Sequence, residues 1–256
     1  MTTTLKTGYI SPPLDIHDAK LGTYITPAFP ALPPLIGSKL TPPIGKRSWG
    51  MYGNDEHSDC VIAGAGHEHR LLTRLGAPRT PADFRTSDLL KAYGDITGFD
   101  PVTGDNDNGT DPREAAKYRR NHGLKDSKGN VHKISAFVGL NNPLDIARSI
   151  YLFGVAGVGI AFPESAMRQF DEHLPWDVVA GEPDPNDGHY IPIIGRDAHA
   201  HTWTCITWGQ EQILTDRFLA KYFDSGFGYL TPELTQGGKS PLGFDVKALL
   251  GYLGRL

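Results

Sequence analysis

The chain has 256 residues, 39% of them hydrophobic and 21% charged, which is the composition of a globular protein with a substantial core and excludes wholesale disorder. Lys and Arg number 25 against 29 Asp and Glu, a net charge of −4, and Lys46-Arg47 and Arg119-Arg120 are the only basic pairs, which argues against nucleic acid as a main partner. No stretch approaches the ~18 consecutive apolar residues of a membrane helix, the first six residues lack a signal core, and two cysteines make no disulfide framework, so a cytoplasmic or virion-associated protein without a signal peptide is expected.

Residues 1–45 carry Pro12, Pro13, Pro27, Pro30, Pro33, Pro34, Pro42 and Pro43. Proline at that density forbids a long helix and pushes the preceding residues to extended conformations, so this segment reads as an arm. Its recurring apolar residues, among them Leu14, Ile16, Tyr24 and Phe29, need a surface to cover. An arm that staples the lobes or a neighbouring subunit is favoured over a removable pro-segment.

Next comes the polar loop 53–59, which delivers Cys60 onto the first turn of a helix running to about residue 75. Ser58 or Asp59 is its N-cap. A thiol at a helix N-terminus faces unpaired N–H groups and the positive end of the dipole, which favours thiolate, whereas the neighbouring Asp59 opposes it. His67 and His69 stand two apart on that helix, hence on different faces, and make a poor metal site. Residues 87–93 read as a short helix.

The acidic loop 100–111 fails the calcium-loop spacing, because Ala116 stands twelfth from Asp105; a solvated turn and an irregular calcium site both remain open. Pro112 at the first helical position starts a helix ended by Gly123. Residues 133–139 read as a strand, 142–153 as a helix and 155–162 as a buried strand. His189 heads a strand over 188–197, and a second strand closes with Thr207-Trp208-Gly209; His199 and His201 belong to the hairpin between them and are expected in solvent. Residues 216–223 read as a helix, 228–230 as a last strand, 235–241 as a Gly-rich linker, and Val246, Leu249, Leu250, Leu253 and Leu256 mark one face of a terminal helix.

A cysteine near the start of a body with a histidine roughly 130 residues on is the separation of papain-like enzymes. The ordered elements over about residues 45–210 resemble that family: Asn54 takes the place of a Gln six residues before the nucleophile, Asn108-Gly109-Thr110 that of a Gly-rich turn lining the substrate groove, His122-Gly123 a helix end, His189 the histidine, and Ile206-Thr207-Trp208-Gly209 an Asn-Ser-Trp-Gly motif. Cys60 lacks the family's Cys-Gly-Ser-Cys context, and Ile206 stands where the orienting Asn belongs. The signature Met51-Tyr52-Gly53-Asn54-Asp55 with Asp59-Cys60 also looks like that of uncharacterised bacterial and phage proteins.

The resemblance implies an α+β, two-lobed fold with a helical lobe over about 46–130 and an antiparallel sheet lobe over 131–234, preceded by the arm 1–45 and followed by a linker and helix over 235–256. It implies a Cys60–His189 dyad hydrolysing peptide or isopeptide bonds, Asn54 as an oxyanion donor, Trp208 over the histidine, and no cofactor or metal. Ile206 cannot orient an imidazole, and alternation counted from it sends Thr207 to the opposite face, which leaves Gln210 or a backbone carbonyl as the orienting group. The other reading is a non-catalytic virion component on the same scaffold, assembling through residues 1–45 and 244–256. A Cys60–Cys205 disulfide would silence the dyad.

Overall fold

The computed structural model describes residues 5–37, 49–75, 81–179, 187–232, 234, 244–253 and 255. The linker expected over 235–241 lies outside them, as do residues 38–45 of the arm.

Helix α1 (Cys60–Leu75) is amphipathic in sequence yet buried almost throughout, because it runs between two layers. On one side it meets α2 (Thr86–Thr97) and α3 (Pro112–Asn121), on the other a sheet. Gly64 and Gly66 make the approach: a Cβ on Gly64 would stand 2.7 Å from the Tyr190 ring, and one on Gly66 2.9 Å from Leu89. Two glycines weaken a helix interior by about 1 kcal/mol each relative to alanine, a cost that close packing offsets. The Asp111 carboxylate caps α3 by accepting from the Arg113 N–H at 2.6 Å, with Pro112 at the first helical position. A small hairpin of β2 (Leu124–Lys125) and β3 (Val131–His132) completes this helical lobe.

The second lobe is an antiparallel sheet. It contains β4 (Ala136–Leu140), β5 (Ala156–Ala161), β6 (Gly188–Asp197), β7 (Thr202–Thr207), β8 (Gln210–Thr215) and β9 (Phe223–Leu230) in the order β4-β9-β5-β6-β7-β8. A two-residue strand from the arm, β1 (Leu35–Ile36), pairs with the far end of β6. Helix α4 (Pro143–Phe153), capped by Asn142, packs Ile146, Ile150 and Phe153 against Val138, Val158 and Ile191. Helix α5 (Glu164–Asp171), which the sequence reading passed over, follows β5; α6 (Asp216–Tyr222) joins β8 to β9, and α7 (Val246–Leu253) docks Leu249 into the same core. The strand expected over 133–139 starts later, running Ala136–Leu140, because Ile134 turns into a separate cluster with Ala116 and Phe227.

The described part of the arm lies on its own body and touches both lobes. Arg113 of α3 holds Asp18 through two N–H donors and donates to the Pro13 carbonyl at 2.8 Å. On the sheet lobe the Gly139 N–H donates to the Ala19 carbonyl at 2.7 Å, and Leu21 is fully buried.

Candidate active site

The polar loop before α1 folds back so that the Asp59 carbonyl accepts the N–H groups of Ile62 and Ala63, which places Cys60 in the first helical turn. Cys60 is 1% exposed. Its thiol meets the backbone of Tyr190, the residue after His189, so the start of α1 and the start of β6 converge. Hydrogen bonds from Tyr190 and Val61 pull toward thiolate, but burial outweighs them and pushes the thiol well above its ordinary value. Asp59 is itself buried, and burial together with the nearby Asp107 raises its carboxyl well above the usual range. Its opposition to a thiolate is thereby weakened, since a neutral carboxyl carries no repelling charge.

His189 is 1% exposed, and its Nε2 lies 2.7 Å from the Thr207 hydroxyl. This corrects the expectation that Thr207 faces away and that Gln210 or a backbone carbonyl orients the ring. Alternation along β7 holds, but it is Ile206 that turns away, into a cluster with Trp49, Leu71, Leu72, Val155 and Ile194. Gln210 pairs with Thr207 across the hairpin and lines a separate cavity with His173, Leu174 and Glu211.

The Nδ1 of His189 is buried without a hydrogen-bond partner. An orphaned N–H costs more than an orphaned lone pair, which favours the tautomer with Nε2–H donating to Thr207 and an open lone pair on Nδ1. Burial lowers this imidazole to about 3, so thiol and imidazole are both neutral in the covered site. The Trp208 ring stacks on His189 with centroids 4.3 Å apart and planes 14° from parallel. Trp208 and Gly209 both adopt positive φ, 41° and 73°, the two-residue turn that matches strand twist. A tryptophan seldom tolerates this conformation; here it aims the ring over the histidine.

Thr207→Val keeps the shape and deletes the acceptor. Alkylation of Cys60 is expected to slow by up to about tenfold near neutral pH, the cost of one oriented hydrogen bond, while Thr207→Ser retains the parent rate. An unchanged rate in the valine variant would mean that stacking alone orients His189.

Asn54 is 3% exposed, and its Nδ2 donates to the carbonyls of His57 and Lys6, each at 3.2 Å. The Trp208 indole N–H donates to the same Lys6 carbonyl at 2.9 Å. Two donors beside His189 therefore converge on one peptide oxygen, and that peptide belongs to the arm. The arm continues through the groove between the lobes. Gly8 and Tyr9 N–H groups both point at the Gly188 carbonyl, 3.0 and 2.9 Å away, while Thr110 donates to Gly8 at 2.8 Å and accepts from Ile10 at 3.1 Å. Gly109, with φ of 87°, lets the chains touch, since a Cβ there would stand 2.2 Å from the Gly8 carbonyl oxygen. Beyond Ile10 the groove opens into a cavity of about 320 Å³ lined by Asn108, Gly109, Thr110 and Glu114.

Sequence reasoning named Cys60, His189, Asn54, Trp208, Gly109 and Thr110, and all of them lie around this groove. It named Thr207 only as a possible support and turned it away from His189, and it missed residues 6–10 as the occupants. A Gly-Tyr-Ile run just before the first prolines was the available signal, since only extended backbone fits there. Both cysteines are free thiols, Cys205 buried in the sheet core, so the disulfide is absent. Among the described residues no group of three or more His, Cys, Asp or Glu side chains is placed to hold a metal ion, and no helix is long and apolar enough to cross a membrane.

No protein-family profile matches the chain, and no curated protein matches it. Solved structures do. Xylellain, a cysteine protease from Xylella fastidiosa, has a TM-score of 0.66 at 14% identity over 90% of this chain and 97% of that one. A structure from work on the mite allergens Blo t 1 and Der p 1 has a TM-score of 0.59 at 13% identity, covering 84% and 76%. A cysteine protease from Carica candamarcensis has 0.55 at 12%, covering 78% and 99%. At such identities the likeness is one of architecture: an α+β body of a helical lobe and an antiparallel sheet lobe. The chain has the fold of the papain-like cysteine protease superfamily.

Proposed function

We propose that the protein is a cysteine peptidase or amidase that hydrolyses peptide or isopeptide bonds through Cys60 and His189. The observation that supports this most is the environment of His189, whose Nε2 is held by Thr207 and whose ring is covered by Trp208, with Nδ1 left without a hydrogen-bond partner. In this reading the Cys60 proton passes to Nδ1, the sulfur attacks the substrate carbonyl carbon, and His189 returns the proton to the leaving amine. Water deprotonated by His189 then cleaves the thioester and restores the thiol. Asn54 and the Cys60 N–H stabilise the oxyanion; losing one such donor costs about 3–4 kcal/mol of barrier.

Both members of the dyad are neutral and dry under the arm, so the reaction needs residues 6–10 to leave the groove. Wetting lowers the thiol and raises the imidazole, which moves the pair toward thiolate and imidazolium. The competing reading, a non-catalytic assembly or virion protein, draws on the arm's Leu14 and Ile16, which are 91% and 82% exposed.

Iodoacetamide decides between them. In a chain lacking residues 1–10, which uncovers the pair, Cys60 is expected to react about ten times faster than Cys205 near pH 7, because in this reading only Cys60 passes its proton to a histidine, and His189→Ala should erase the difference. Equal labelling in that uncovered chain favours the assembly protein.

A further inference from the structure

Asn108-Gly109 is the only Asn-Gly pair in the chain, and the fold cannot do without its glycine. Gly109 has a φ of 87°, and a Cβ there would stand 2.2 Å from the Gly8 carbonyl oxygen, so only glycine lets the arm lie against this turn. That requirement carries a chemical liability. The peptide nitrogen after an asparagine can attack the side-chain carbonyl, and glycine, having no side chain, hinders the attack least.

The surroundings of the pair divide it. Asn108 is exposed and lines the cavity of about 320 Å³, so water reaches its carboxamide, whereas Gly109 is buried. The Gly109 N–H donates to the Tyr93 hydroxyl at 2.9 Å. That hydroxyl donates in turn to Asp107 Oδ1 at 3.0 Å, and the same oxygen accepts the Ser58 N–H at 2.8 Å, so the phenolic lone pair is fixed on Gly109. Tyr93 is itself fully buried. Deprotonating the Gly109 nitrogen and swinging it toward Asn108 both require this bond to break.

We propose that Asn108-Gly109 is a deamidation site held shut by the Tyr93 hydroxyl, and that its conversion to isoaspartate loosens residues 8–10 of the arm from the groove. The Gly109 nitrogen, having lost its proton to hydroxide, bonds to Asn108 Cγ; the Cγ–Nδ2 bond breaks, and ammonia leaves behind a succinimide. Water then opens the ring to aspartate or isoaspartate, and neither Cys60 nor His189 takes part. Isoaspartate inserts one carbon into the main chain immediately before Gly109-Thr110 and adds a carboxylate. Thr110 donates to Gly8 at 2.8 Å and accepts from Ile10 at 3.1 Å, and the longer turn cannot keep both bonds together with that of Gly109 to Tyr93.

The full-length chain is aged in mildly alkaline buffer, and mass spectrometry counts aspartate and isoaspartate at position 108. Tyr93→Phe keeps the ring and deletes the hydroxyl, and it is expected to convert about tenfold faster than the parent, the worth of one buried hydrogen bond. Equal rates overturn the guard, as does a folded parent that converts as fast as the chain in urea. Should Tyr93→Phe fail to fold, hydrogen exchange at the Gly109 amide of the parent decides: exchange about tenfold or more below that of an open loop amide supports the guard, and exchange at the loop rate overturns it. The isoaspartate form carries one more negative charge and separates on an ion exchanger. Its Cys60 is expected to react with iodoacetamide about tenfold faster than that of the unconverted chain, and equal reaction removes the link to the arm.

Discussion

Replacing Arg119 by alanine is expected to lower the free energy of unfolding by about 3–5 kcal/mol, measured as a shift of the urea midpoint. Arg119 is 1% exposed and its Nη1 lies 2.7 Å from Glu68 Oε2, with Glu68 fully buried. The Tyr190 hydroxyl donates to Glu68 at 2.7 Å and meets the Tyr229 hydroxyl at 2.7 Å, and the guanidinium sits 4.2 Å above the Tyr229 ring. Glu68 belongs to α1, Arg119 to α3, Tyr190 to β6 and Tyr229 to β9, so one network ties the lobes together directly behind the candidate site.

Desolvation already raises the Glu68 carboxyl, and without the guanidinium it would be left as an unpaired buried acid. The double variant Glu68→Leu/Arg119→Met removes both charges and keeps the volume. It is expected to be far less damaging than Arg119→Ala, which separates loss of charge compensation from loss of packing. A cost below about 1 kcal/mol for Arg119→Ala would show that the pair is better solvated than its burial implies.

Acid should weaken the fold through His67. This imidazole is fully enclosed, and burial lowers it from its ordinary 6.5 to about 4. Its Nε2–H donates to the Gly50 carbonyl at 2.9 Å, and its ring lies 4.9 Å from that of Tyr52. Above pH 6.5 the histidine is neutral folded or unfolded and contributes no pH slope. Between 6.5 and about 4 the unfolded chain takes up a proton that the folded chain refuses, so stability falls as pH falls, by about 3 kcal/mol in all.

Burial lowers His69 and His189 as well, which pulls in the same direction, whereas it raises Asp59 and Glu68, which pull in the other. The total slope therefore mixes several groups, and the difference between parent and His67→Gln isolates one. The variant, whose amide retains a donor for Gly50, should lose about 3 kcal/mol less between pH 7 and 4. Parallel stability curves for the two proteins would mean that His67 is protonated in the folded state.

Much of this was visible in residue order. Cys60 at the head of an apolar helix, Pro112 after a capping Asp111 and the run of small and β-branched residues around β5 each declare their element locally, because capping, φ restriction and side-chain period act over a few residues. The same holds for His189 at a strand start. The role of Thr207 was not visible. An assignment one residue off put Ile206 at the histidine, and a period of two turns such an offset into the wrong face.

The chain order by itself determined the nucleophile and histidine candidates, the proline-bound extended arm, and an α+β body with helices first and strands after. These follow from local stereochemistry and the spacing of apolar residues. Only the tertiary structure decided that Thr207 holds the histidine, that Glu68 and Arg119 meet in the core, and that Gly8 lies against Gly109. Each of those contacts joins residues far apart along the chain, and what brings them together is the packing of two lobes around a shared seam.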